Sequence, residues 1–588
     1  PLACPACGPT AWLETGEGRI DGTDAAIAGA QQALADGRVV AVKGLGGYHI
    51  ACAAGSDAAV ALLRQRKGRA AKPFAVMARD VAVAAQLAMI DEAEARLLQA
   101  VQRPIVLLAR TAGTALSPLV APDNPQIGVM LPYTPLHHLL FNPVPGHDAA
   151  VPEMLVMTSG NLTDEPICYT DADARQRLAR LADIWLVHNR PIHVPCDDSV
   201  VRVVDGQELP IRRSRGYAPL PVTLPMAALP VLAVGGELKN TFCLAAGRNA
   251  WMSQHIGDMG SVETLAAFEH STEQFRDMYQ IEPEVVAADA HPGYQTRRWA
   301  EAAGPAPVEL VQHHHAHVAS VMAEHGVEPG NRVIGFAFDG TGYGSDGAIW
   351  GGEVLVAGYR DFVRCAHLRY VPLPGGDATI RRPYRAALAH LWAAGIAWSE
   401  DLAPVQAAGP DELAVLRRQL ERNFGCVPTS SMGRLFDAVS SLLGVRHQVS
   451  YEAQAAIEME TQAVAALADA RRYRFDRQGE DIDAAPVLHA IVDDLASGWH
   501  PGPIAAGFHQ AVAELVVALA VEIRHETGIP QVALTGGVFQ NVLLLRLCRD
   551  GLAGRGFDVL THRLVPPNDG GLALGQVMVV AARAAGAG

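Results

Sequence analysis

Val333-Ile334-Gly335-Phe336-Ala337-Phe338-Asp339-Gly340-Thr341-Gly342-Tyr343-Gly344 is the stretch that decides the fold of the second half of this chain. An apolar run reads as a strand, the acidic, glycine-rich segment after it as a turn, and Ala348–Val356 as the returning strand. The same plan appears earlier: Val231–Val234, then Gly235-Gly236-Glu237-Leu238-Lys239-Asn240, then Thr241–Ala246. Two such hairpins predict a duplicated α/β lobe whose halves grip phosphates with backbone N–H groups. A third glycine site follows the strand Val532–Leu534, where Thr535-Gly536-Gly537-Val538 turns and Gln540-Asn541 opens an apolar helix. Backbone N–H groups at such a helix start can face a nucleotide.

Between the hairpins lies Gln312-His313-His314-His315-Ala316-His317. If this segment is helical, His313 and His317 share a face with Cβ atoms roughly 5–6 Å apart. That separation suits one metal ion, and neutral imidazole is a common ligand. Spacing alone leaves a metal-free, histidine-rich helix end equally open. Asp339 and Asp569, the latter in NDGGLALGQ, are the acidic residues that could complete a ligand set. Residues 360–520 read as largely helical, an inserted or flanking layer.

The 588 residues exceed one ordinary core and predict two to four domains. A hydrophobic content of 49% and 56 glycines fit turn-rich α/β material. The formal charge of −15 argues against a large sequence-independent nucleic-acid surface. No uninterrupted apolar run reaches membrane-spanning length, and nine scattered cysteines suggest a reducing cytoplasm rather than a disulfide framework. Cys4-Pro5-Ala6-Cys7-Gly8-Pro9 is half of a four-cysteine zinc site, so residues 1–15 read as the remnant of a zinc-finger region.

Residues about 22–215 alternate helix and strand: helix Asp24–Asp36, strand Arg38–Lys43, the Gly44–Gly47 turn, and a helix from Ser56 to Lys67. Apolar runs at Phe74–Met77, Pro104–Leu108, Met154–Thr158 and Ile184–Val187 continue the pattern. Tyr217–Pro230 carries four prolines and reads as a linker. The cation-rich run Arg64–Lys72 ordinarily means a solvated face. Thr158-Ser159-Gly160-Asn161, Cys196-Asp197-Asp198-Ser199 and Arg212-Arg213-Ser214-Arg215 add hydroxyl, amide and guanidinium groups at strand ends. Such groups suit a triphosphate and a small planar acid.

Lys67-x-Arg69 with Ser159-x-Asn161, flanked by KPFAVM and TSGN, resembles the KxR…SxN tetrad of YrdC/Sua-type domains, which adenylate a carbamate. The resemblance implies that Lys67, Arg69, Ser159 and Asn161 hold ATP and the carbamoyl group, with Lys72 and Arg213 as further phosphate partners. QHHHAH, FDGTGYG, TGGVFQN and NDGGLALGQ resemble the Kae/TsaD-like carbamoyl and threonylcarbamoyl transferases of the duplicated actin-like (ASKHA) fold. That implies His313, His317 and Asp569 as metal ligands with Asp339 beside them, and Gly340, Thr341, Gly536, Gly537 and Asn541 at the nucleotide. The metal could be iron, zinc or magnesium, with magnesium also accompanying ATP.

The order of the pieces resembles the HypF family of hydrogenase-maturation carbamoyltransferases. The expected domains are 16–222, forming carbamoyl-AMP, and 223–588, transferring its carbamoyl group to the C-terminal Cys of a partner, HypE. The expected donor is carbamoyl phosphate, by way of carbamate. The acylphosphatase domain and full zinc-finger region of that family are not in this sequence, so zinc at Cys4/Cys7 is expected only in a full-length protein. Alternatives are an O-carbamoyltransferase acting on a small-molecule hydroxyl, a part in tRNA threonylcarbamoylation, and a non-catalytic actin-like ATPase scaffold. The expected location is the cytoplasm, with no nucleic-acid or membrane partner.

Overall fold

The computed structural model describes residues 8–162 and 165–586. Cys4 and Cys7, where zinc is expected only in a full-length protein, lie outside the described residues. The chain divides into two compact units. One runs through Leu220 and takes in Ser253–Phe275; the other comprises Pro221–Met252 and continues from Arg276.

The first unit is built on a 12-stranded mixed sheet. At its centre Met154–Ser159 runs antiparallel to both Tyr48–Ala53 and Ala75–Ala78. The helix Asp57–Lys67 packs beside it through Ala59, Val60 and Leu63. Ser56 caps its start by accepting from Ala59 N–H. Gly68 ends it in the left-handed conformation that glycine adopts at low cost, turning the chain so that Lys67 and Arg69 both face the end of Met154–Ser159. The alternating helices and strands expected over residues 22–215 are present, shifted by one or two residues.

In the second unit the duplication is visible as repeated topology. One sheet is ordered Cys243–Met252, Pro221–Ala233, Val285–Asp289, Val308–Val311. Within the nine-stranded sheet the same arrangement recurs as Ile349–Ala357, Val333–Tyr343, Gln531–Thr535, Asp558–Thr561. Each is an antiparallel hairpin continued by two parallel strands. A long helix follows each set, His313–Glu324 and Leu572–Ala585, and the two pack in one apolar core with Ala316, Val318, Met322, Leu572 and Val579. A Cβ on Gly575 would lie 1.8 Å from the carbonyl oxygen of Ala316, so glycine alone permits this approach.

Three expectations are corrected. Pro221–Ala233 is a strand, not a linker. Its prolines stand at the first residue and around register shifts between Thr223 and Val231, where a missing N–H breaks no ladder bond. The segment Asp339-Gly340-Thr341 is no hairpin turn. It is a bulge inside Val333–Tyr343, since Phe338 pairs with Gly352 and Gly342 with Trp350, and the turn comes later at Gly344–Ala348. Residues 360–520 are helical in large part but also add Phe362–Leu368, Val371–Pro374, Cys426–Thr429, Asp476–Gln478 and Asp481–Asp483 to the sheet. Pro501–Thr527 contains an 18-residue window of mean hydropathy 1.8, long and apolar enough to cross a membrane, yet 67% of that window is buried in the protein.

Candidate functional site

Both groups of expected residues assemble. In the first unit Lys67 Nζ donates to the Ser159 carbonyl at 2.7 Å and to Asn161 Oδ1 at 3.0 Å. Ser159 Oγ donates to the same Asn161 oxygen at 2.8 Å, and Asn161 Nδ2 donates to the Glu165 carbonyl. Arg69 donates to Thr158 Oγ1 and to the Pro73 carbonyl, with its guanidinium over the Phe74 ring. Burial, reinforced by Arg69, lowers the Lys67 ammonium to about 7, and burial with Arg64 lowers Arg69 to about 9. Two cations held this way gain when an anion arrives. Lys72 is exposed beside them, whereas Arg213 is buried and donates to the Leu220 carbonyl at 2.7 Å.

In the second unit His313, His317, Asp339 and Asp569 offer ligand atoms all within 4.8 Å of one another, every residue buried. His313 and His317 begin the helix His313–Glu324, capped by Gln312, whose Oε1 accepts from His315 N–H. Their Nε2 atoms stand 3.4 and 3.6 Å from Asp339 Oδ2 and 3.8 and 3.7 Å from Asp569 Oδ1. Neither Nε2 has a hydrogen-bond partner among the described residues. Two ligands at about 2.1 Å from a tetrahedral ion lie about 3.4 Å apart. The spacing and the unpartnered nitrogens therefore fit one divalent cation, which two carboxylates and two neutral imidazoles would hold without excess charge.

The surroundings orient this set. Asp289 Oδ2 lies 2.7 Å from His313 Nδ1, fixing the ring so that Nε2 faces the centre. Gly537 N–H donates to Asp339 Oδ1 at 3.1 Å. Burial would lower His313, but Asp289, Asp339 and Asp569 hold it well above the usual imidazole range. Burial would raise Asp339, and the two histidines hold it well below the usual carboxylate range. His314 and His315 stand outside the set: His314 Nδ1 meets the Gln312 amide and His315 Nε2 the Gly358 carbonyl.

The glycine residues serve the approach. Gly536 has φ 95°, and a Cβ there would lie 2.2 Å from the Phe338 carbonyl oxygen. Gly340 abuts Arg434, and Thr341 is half-buried beside it. Asn541 is used differently from expectation. Its Oδ1 caps the helix Val542–Ala553 and its Nδ2 meets His509 Nε2. The first N–H groups of that helix, Val542 and Leu543, donate to Glu460 Oε1, so a carboxylate already fills the helix start expected to face a nucleotide. Sequence reasoning missed Asp289, Glu460 and the Arg434–Asp437 pair beside Gly340, which closes at 2.8 Å. Of these only Asp289 carried a signal, as an acidic residue ending an apolar strand.

Residues 32–214 match the Sua5/YciO/YrdC family, described as telomere recombination. Residues 227–324 match the HypF Kae1-like domain, and 335–576 the carbamoyltransferase Kae1-like domain, second subdomain. The carbamoyltransferase HypF2 of Cupriavidus necator is 42% identical over 94% of this chain and 72% of that protein. The HypF of Synechocystis is 40% identical over 92% and 71%. A full-length HypF crystallised in a phosphate- and nucleotide-bound form superposes with a TM-score of 0.92 at 41% identity, covering 98% of this chain and 75% of that one. HypF from T. kodakarensis gives 0.92 at 36% identity, covering 100% and 77%. The chain belongs to the HypF carbamoyltransferases, an enzyme family in which a YrdC-like domain precedes Kae1-like domains.

Proposed function

We propose that this carbamoyltransferase works in two steps, one in each unit, within hydrogenase maturation. The first step belongs to residues 16–222, which form carbamoyl-AMP, and the second to 223–588, apart from the Ser253–Phe275 segment that packs in the first unit; these transfer the carbamoyl group to the C-terminal Cys of HypE. In the first step a carbamate oxygen, derived from carbamoyl phosphate, attacks the α-phosphorus of ATP and pyrophosphate leaves. The observation that carries this reading is the convergence of Lys67, Arg69, Ser159 and Asn161 on one strand end. Two buried cations there neutralise charge that builds on the phosphates, and Ser159 with Asn161 positions the small acid. The nucleotide-bound relative supports ATP as the ligand.

In the second step the cysteine, as its thiolate, attacks the carbamoyl carbon, the bond from that carbon to the phosphate oxygen breaks, and AMP departs with the bonding pair. His313, His317, Asp339 and Asp569 would hold a divalent metal, which when bound supplies a Lewis acid for phosphate or carbamoyl oxygen. Asp289 holds His313 in register for this role, and the bulge at Asp339 aims its carboxylate inward. Pyrophosphate release tests the division of labour. Lys67→Met stops it, whereas His313→Ala leaves it intact and blocks transfer. Equal loss of pyrophosphate release in both variants contradicts the assignment.

A further inference from the structure

The first unit holds a second buried polar assembly that the tetrad does not use. His49 stands directly opposite Ser159 in the strand pair, so both side chains rise from one face of the sheet. Their Cβ atoms are therefore about 4.5–5.5 Å apart. His49 is 3% exposed. Its Nε2 lies 3.0 Å from Asp198 Oδ2, and the hydroxyl of Tyr133 lies 3.3 Å from the same nitrogen. Asp198 is in turn gripped through Oδ1 by Arg215 Nε at 2.8 Å. Arg215 is itself locked, donating to the Gln102 and Arg103 carbonyls and lying over the Tyr133 ring at 3.5 Å.

This chain of contacts fixes a tautomer. An ionised Asp198 accepts only, so the Nε2 facing it carries a hydrogen, and in a ring with that one hydrogen Nδ1 is the acceptor. Asp198 stays ionised there, because the hydrogen bond from His49 and the Arg215 guanidinium outweigh burial and hold its carboxyl far below the usual range. His49 Nδ1 is buried with no hydrogen-bond partner among the described residues, and so are both ring nitrogens of His137. The His137 ring lies 5.9 Å from that of His49, centre to centre. A buried acceptor without a partner is costly, and His49 Nδ1, with the unpartnered His137 ring beside it, marks a place where a small donor belongs. Gly44 leaves the approach clear, since a Cβ there would sit 2.9 Å from His49 Nδ1.

We propose that His49 reads the amino group of the one-carbon acid seated beside Ser159, accepting its N–H at Nδ1, with Asp198 and Arg215 as positioning residues. The proposal rests on the adenylation reading above and adds how carbamate is told from an acid of the same shape without a donor. Acetate is that acid, with a methyl where carbamate has its amino group. A site whose polar groups would be left unpaired rejects such an analogue strongly. His49 is thus the specificity determinant, while Lys67 and Arg69 act on the phosphates.

The test is pyrophosphate release with carbamate, supplied as ammonium carbamate, and with acetate. His49→Phe is expected to raise the KM for carbamate about tenfold, with a smaller change in kcat, and to lower the carbamate-to-acetate preference at least tenfold. His49→Asn, which returns an oxygen acceptor near the Nδ1 position, restores most of the preference. Asp198→Asn, whose carbonyl stays with the donating Arg215 and whose amide N–H then donates to His49 Nε2, moves the ring hydrogen to Nδ1 and gives the same loss without removing the ring. Should His49→Phe fail to fold, Asp198→Asn decides. An unchanged KM and an unchanged preference in a folded, active variant overturn the proposal. A wild-type chain that releases no pyrophosphate with carbamate sinks the adenylation reading instead, which distinguishes the two failures.

Discussion

ATP binding at the first unit should take up a proton, because Lys67 is held near neutrality until a phosphate arrives. Burial beside Arg69 lowers its ammonium to about 7. At pH 8 only about one Lys67 in eleven is then charged in the free protein. The triphosphate favours the charged form and returns the group toward its ordinary range, so each ATP bound at pH 8 draws in about 0.9 proton. The sign follows: affinity is greatest below pH 7 and falls as pH rises, by about tenfold, or 1.4 kcal/mol, per unit above it. Isothermal titration calorimetry at pH 8 in buffers of different ionisation enthalpy reads the proton count. Lys67→Arg keeps a charge that does not titrate in this window, so it should bind ATP with that uptake abolished. A wild-type uptake near zero, or an equal uptake in Lys67→Arg, would refute the reasoning.

The other expectations concern the second unit. Asp289→Asn removes the carboxylate that orients His313, and should weaken divalent-metal affinity by about 10–100-fold, read by metal titration, with pyrophosphate release unchanged. Gly575→Val forces the two core helices apart by about 1.5 Å to restore an ordinary C···O distance, so metal retention after dialysis should fall sharply. Retention equal to wild type would show that this packing does not set the ligand geometry. Glu460→Ala leaves the N–H groups of Val542 and Leu543 unpaired and should cost about 2–4 kcal/mol in urea unfolding. A cost under about 1 kcal/mol would mean that water replaces the carboxylate.

Much of this centre could be read from local patterns. A helix carrying histidines four apart keeps them on one face, and the repeated hairpins defined the lobe into which Asp339 and Asp569 project. Lys67 and Arg69 were legible because a helix end and a glycine turn place both near one strand end. What failed was whatever needed a distant partner. Asp-Gly-Thr-Gly suits a turn or a bulge equally, and only the pairing with Ile349–Ala357 chose the bulge. Prolines 221, 225 and 230 signal a linker until the neighbouring strands show which ladder positions they avoid. Glu460 fills the start of Val542–Ala553 from far away in sequence, so no motif around Asn541 could announce it. Asp289 holds His313 from 24 residues away and Asp198 holds His49 from 149 residues away, beyond the reach of any local motif.

The most direct test is intact-mass and peptide mass spectrometry of purified HypE after incubation with this chain, ATP, magnesium, a divalent metal for the His/Asp site and ammonium carbamate. Supplying carbamate directly bypasses any need to release it from carbamoyl phosphate. The account predicts a single carbamoyl adduct confined to the C-terminal Cys, dependent on ATP and lost in both Lys67→Met and His313→Ala. No adduct with active, metal-loaded protein, or an adduct that persists in His313→Ala, would contradict it.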